Sequence, residues 1–258
     1  MFMFTKNLKT GLSLLTALLI VLSLSLLACG TESEPDEPVF FENGIHQNVM
    51  ELVDDELMDV IENELEMPIY RGANPPDLQS AFGGQAKATG EGITFMMSPL
   101  LLFNTNVPND EGRFDEGTRF ADSFFWFSNQ NMQNYTVSFG RTSTALDTPY
   151  IGETSYIIGE DDRFTVFGPL ERVEPEGTVL SMNIFSGILA NGGVEDPHYS
   201  LIMIDDGGVS GVIPAETGRS FEDGDGFAEI SEWPEQEKRV GIEKSGFEKV
   251  DASEKLPR

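Results

Sequence analysis

Four positions near the end of this chain have the types and spacing of a cation site. Asp223, Asp225, Gly226 and Glu232 fall at positions three, five, six and twelve of a calcium-binding loop. Carboxylate oxygens there would surround a hard cation, and the glycine would allow the sharp turn. Phe221 occupies position one and offers no oxygen, and no pair of helices flanks the loop. The segment therefore reads first as a polar turn, with weak calcium binding by Asp223, Asp225 and Glu232 as the second reading. Other chemistry finds less support. The chain has two histidines, His46 and His198. Ser210 in Gly-Gly-Val-Ser-Gly lacks the full frame of a nucleophile elbow, and no helix follows it. Glycoside cleavage needs two carboxyls at a set separation, but 44 acidic residues make every pair uninformative. There is no phosphate-cradling glycine loop and no zinc spacing. No catalytic residue is assigned.

Aromatic residues are the other candidates. In the run from Phe120 to Ser128, strand alternation puts Phe120, Phe124 and Trp126 on one face and Phe125 and Phe127 on the other. A strand that is apolar on both faces is covered on both. One face belongs to a β core. The other packs under a helix or forms a ligand-binding patch, with Phe120, Phe124 and Trp126 as its contacts and the helix as the favoured cover.

The elements that must hold these residues are mostly strands. Ile45, Val49, Leu52, Val53, Leu57, Ile61 and Leu65 recur at helical steps, so residues 43–67 read as one amphipathic helix. Asn43 is its expected N-cap and Pro68 its stop. From residue 68 to 233, Gly, Pro, Asn and Asp clusters separate short β-rich runs. These lie at 93–103, 120–128, 135–139, 155–158, 164–167, 179–189, 199–204, 211–213 and 227–230. Gly159-Glu160-Asp161-Asp162 and Ala190-Asn191-Gly192-Gly193 read as hairpin turns. Such a series of strands predicts a mainly β fold: an antiparallel meander closing into a barrel, with a β-sandwich as the alternative. Residues 29–42 read as an acidic tether and 234–258 as a charged tail.

The N-terminus has a basic start at Lys6 and Lys9, an apolar stretch from Leu12 to Leu27, and a single cysteine after Leu26-Leu27-Ala28. This layout is that of a secretory signal. With Cys29 in place it resembles the lipobox of bacterial lipoproteins. That resemblance implies removal of residues 1–28, acylation of Cys29, and anchoring to the outer membrane, facing the periplasm or the surface. Arg71–Leu78, Phe127–Asn131 and Gly224-Asp225-Gly226 are also similar to a group of uncharacterised Gram-negative envelope lipoproteins, which implies no particular activity. The order of leading segment, meander and acyl anchor looks like lipocalin-type barrels, with Asp77–Phe82 where a Gly-x-Trp start usually stands.

Charge narrows the partners. A net charge of −28 excludes a nucleic-acid backbone and electrostatic adhesion to anionic lipid. Acyl chains must then hold the protein to the membrane. With one cysteine there is no disulfide framework, and stability rests on a packed core. The expected function is non-enzymatic binding of a small molecule, glycan or protein at the envelope. A glycan-directed hydrolase and a structural accessory are the alternatives.

Overall fold

The fold is seen in a computed structural model that describes residues 43–79, 92–145 and 150–234. The expected signal segment with Cys29, the whole of the expected acidic tether and nearly all of the expected charged tail lie outside these residues.

The described chain is mainly β. Twelve strands join one sheet: β1 (Ala73–Asn74), β2 (Ile93–Met97), β3 (Leu100–Thr105), β4 (Arg119–Phe120), β5 (Ser123–Asn131), β6 (Thr136–Ser143), β7 (Tyr150–Glu160), β8 (Arg163–Val173), β9 (Thr178–Ala190), β10 (Gly193–Asp205), β11 (Gly218–Asp223) and β12 (Phe227–Ser231). Strands β5 to β10 follow one another as an antiparallel meander. The loop between β7 and β8 is Asp161-Asp162, and Asn191-Gly192 joins β9 to β10. Both loops have two residues and lie within the four-residue turn segments expected at 159–162 and 190–193, and each has one residue at positive φ: Asp161 at 58° and Gly192 at 91°.

The meander is extended by pairings out of chain order. β2 pairs with β5 and β12, and β12 pairs with β10, so the hydrogen bonds run around a ring of eight strands. Besides β9, β10 takes two further partners because it is bulged. Gly193–Glu195 face β12, whereas His198–Ile202 face β11. The register against β9 slips between Glu195 and His198. Pro197 sits in the slip and has no N–H to give a ladder, and the extra residue bends the strand from one partner to the next. β11 then carries β3 and β4 outside the ring.

Several sequence expectations need correction. Residues 211–213 form no strand, while β11 and the two-residue β1 and β4 were not anticipated. The run 93–103 is two strands with different neighbours, divided at Ser98-Pro99. The run 120–128 is likewise divided, between β4 and β5.

The helical segment is also divided. It comprises a helix at Gln47–Met50, a second at Asp55–Asp59 and a π-helical turn at Val60–Glu64. Asp54 explains the break. Its backbone is extended, and its side chain accepts the Leu57 N–H at 2.9 Å, which starts a new helix in place of continuing the old one. His46 is the first N-cap, and Asn43 instead makes a local bond to the Ile45 N–H. The apolar stripe survives these breaks: Ile45, Val49, Val53, Leu57, Ile61 and Leu65 are all buried. They pack on Ile158, Phe167, Met182, Ile184 and Ile202, outward residues of β7 to β10. The segment thus covers that face and not the outer face of 120–128. The other face of the sheet carries a second cluster dominated by Phe95, Phe125, Phe127, Phe164, Phe185 and Tyr199, none of which is exposed. Among the described residues no helix is long and apolar enough to cross a membrane.

Candidate functional site

The loop with calcium-site spacing is a tight turn between β11 and β12. One Asp223 carboxylate oxygen accepts the Ser98 N–H at 2.7 Å, and the other accepts the Asp225 N–H at 3.0 Å. Asp225 in turn accepts the Phe227 N–H at 3.0 Å. These bonds use the carboxylates to shape the turn. Burial of Asp223, with Asp225 close by, raises its pKa to about 6. Glu232 follows the whole of β12, and five strand residues at about 3.3 Å each carry it to the far end of that strand. The turn therefore does not bring Glu232 to Asp223 and Asp225. Among the described residues no group of three His, Cys, Asp or Glu is placed to hold a metal.

The aromatic candidates are separated too. Phe120 lies on β4, where its ring meets Phe114 at 5.5 Å and Phe221 at 5.1 Å in the edge of the main core. Phe124 and Trp126 are half-buried on the opposite face of β5 from Phe125 and Phe127, and Trp126 meets Trp233 at 6.4 Å. Phe120 thus packs against the main core, whereas Phe124 and Trp126 lie on the other face of β5.

The histidines are engaged locally. Burial lowers the pKa of His46, against the pull of Glu51. Its Nδ1 accepts the Asn48 N–H at 3.1 Å, and its ring stacks on Tyr156 at 5.3 Å. His198 lies edge-on to Phe103 at 5.2 Å with Nδ1 at 3.1 Å from the Asp196 carbonyl oxygen. The Ser210 hydroxyl donates to Glu176 at 3.0 Å.

A different constellation gathers around Ser123 at the start of β5, Arg141 near the end of β6 and Tyr150 at the start of β7, with Gly168, Asn183 and Tyr199 midway along β8, β9 and β10. Arg141 pairs across the ladder with Tyr150, and Gly168 with Asn183. The Arg141 guanidinium stacks over the Tyr199 ring at 4.6 Å from its centroid, and Nη2 donates to Ser123 Oγ at 3.3 Å. The Tyr199 hydroxyl donates to Asn183 Oδ1 at 2.7 Å, wholly within the interior. Burial raises the Tyr150 hydroxyl to about 12, against the pull of Arg141, so it stays a neutral donor at physiological pH. Arg141, Tyr150, Asn183, Phe139, Gly152 and Gly168 line a cavity of about 10 Å³, room for roughly one water-sized group. A side chain at Gly168 would strike the Phe139 ring, since an added Cβ would lie 2.5 Å from Cδ1.

Arg219 provides the contrast. It grips Asp110 through two bonds, Nε to Oδ2 at 2.6 Å and Nη2 to Oδ1 at 2.8 Å, and Thr105 Oγ1 donates to the same carboxylate at 2.8 Å. Burial pushes the Asp110 carboxyl up, but these bonds outweigh it and hold it below its usual value. Beside this pair, Leu102, Phe103, Asn104, Thr105, Phe114 and Glu116 line a cleft of about 160 Å³.

Sequence reasoning passed over Arg141, Tyr150 and Asn183. The available signal was strand parity: Val137, Phe139 and Arg141 alternate on one face, which places a scarce cation in line with core residues. No protein-family profile, curated protein or solved structure matches this chain.

Proposed function

We propose that this protein is an outer-membrane lipoprotein, anchored through Cys29, whose β domain binds a ligand or partner without turning it over. The eight-stranded ring is read as a lipocalin-like barrel. Its middle is filled by phenylalanine rings, which leaves its ends as the places where a ligand can sit. The observation that carries the binding reading is the Arg141 end, where polar side chains from several strands converge on a small cavity above an otherwise apolar interior. Its anchor is supported by the Leu26-Leu27-Ala28-Cys29 run and by an acidity that rules out charge-driven membrane adhesion.

Two measurements test this reading. Cys29→Ser should leave the membrane fraction or stay unprocessed, and native mature protein lacking an acyl mass at Cys29 overturns the anchor. A panel of envelope glycans, lipids and peptides should yield a binder and no product. Product release at an enzyme-like rate, lost on changing one acidic residue, promotes the hydrolase reading instead.

A further inference from the structure

We infer that the Arg141 end of the ring receives a carboxylate, and that Arg141 and Tyr150 are the groups that recognise it. This rests on the binding reading above and narrows it to a ligand class. Three observations carry it.

First, Arg141 has binding capacity left over. Its Nε is buried and has no hydrogen-bond partner, and it forms no ion pair with a described carboxylate. A buried donor left unsatisfied is costly. That is notable in a chain with 44 acidic residues to choose from, and four of its other described arginines do pair with one. Second, the neighbouring groups are complementary to a carboxylate. Tyr150, paired with Arg141 across the ladder, is an O–H donor whose deprotonation burial opposes. Stacking on Tyr199 fixes the guanidinium plane, so an anion arriving there meets a donor already oriented. Third, the size of the cavity selects. Room for about one water-sized group admits one carboxylate oxygen and leaves the rest of the ligand outside the ring. The buried Ser155 Oγ also lacks a partner. It would lie 3.3 Å from a Cβ at either Gly152 or Gly168, both of which line the cavity.

The carboxylate belongs either to an acyl chain or to an acidic sugar, and the test separates these. Octanoate, glucuronate, octanol, glucose and inorganic phosphate are titrated into the protein, read by calorimetry and by the NMR signal of the Arg141 Nε–H. The expected result is saturable binding of octanoate or glucuronate that shifts this signal, with no response to octanol or glucose. Loss of the charge-assisted bonds in Arg141→Met should weaken that binding at least about tenfold. Tyr150→Phe should weaken it less, and both variants should keep the wild-type circular dichroism spectrum and a cooperative melt. If Arg141→Met does not fold, Arg141→Lys replaces it: the charge stays, the Nε donor goes, and the binding should still fall. A response to phosphate but to neither carboxylate overturns the carboxylate assignment. So does equal binding by octanol or glucose, unchanged affinity in the Arg141 variant, or no carboxylate response at all. None of these outcomes removes the wider binding reading, which falls only if the envelope panel yields no binder.

Discussion

Arg219 and Arg141 are both inward-facing arginines on β strands, and they are treated in opposite ways. Arg219 is met by Asp110, whose side chain is almost wholly buried, in a two-bond grip reinforced by Thr105. Arg141 is met by an aromatic face and a serine hydroxyl, with Nε unsatisfied. A closed pair of this kind has little capacity left for a ligand. An arginine held in place and left partly unsatisfied keeps that capacity. The contrast teaches that burial of a cation is not by itself a sign of structure or of function; the partner set decides.

The sharpest way to break this contrast is to remove each guanidinium in turn. Arg219→Met strands the buried Asp110 carboxylate and should cost about 3–5 kcal/mol of stability in chemical denaturation. Arg141→Met strands no charge. It loses the stacking on Tyr199 and removes an unsatisfied donor, so its net effect should stay within about 1 kcal/mol. If the two variants cost the same, Arg141 is a structural residue like Arg219.

A second effect, expected to be of middling size, concerns the helical segment. Leu57 is 7% exposed and packs with the outward residues of β7 to β10. Leu57→Ala should cost about 2–5 kcal/mol, at the lower end because the site lies near the surface and can relax. An unchanged melting temperature would mean that the segment adds nothing to the β domain.

The smallest effect compares two buried aspartates of opposite sign. Asp110 has a lowered pKa, so its contribution is present above the unfolded value of about 3.9 and is lost as pH falls through the folded value. Asp223 is raised to about 6, so the folded state holds its proton more tightly. Its contribution is therefore fully present below about pH 4 and is lost as pH rises towards 6. In melting temperature against pH, Asp223→Asn should flatten the wild-type slope between pH 4 and 6. It should also lower stability by about 1–3 kcal/mol, because an amide cannot accept both the Ser98 and Asp225 N–H groups. An unchanged slope would show that Asp223 is not the group that titrates there.

Much of the local structure was legible in the chain. Hairpin loops at 161–162 and 191–192, the apolar stripe from Ile45 to Leu65, and the turn at 223–226 all follow from side-chain periodicity and turn chemistry, which act over a few residues. Sequence alone also established the strong acidity, a net charge of −28, and a mainly β pattern. Other features were decided by contacts far apart in the chain. The stripe did not reveal that Asp54 would restart the helix, because a capping bond competes with helix continuation on nearly equal terms. β2 and β3, adjacent in sequence, took different partners, β5 and β12 for the one and β4 and β11 for the other, because pairing is set by which edges the fold leaves open. Phe120, Phe124 and Trp126 share strand parity, but β4 and β5 are separate strands, so parity stopped carrying information at residue 121. Arg141, Tyr150 and Asn183 come from three strands, and no spacing in the chain encodes their meeting. They meet because β6 to β9 pair in succession and the sheet brings Arg141 of β6 over Tyr199 of β10.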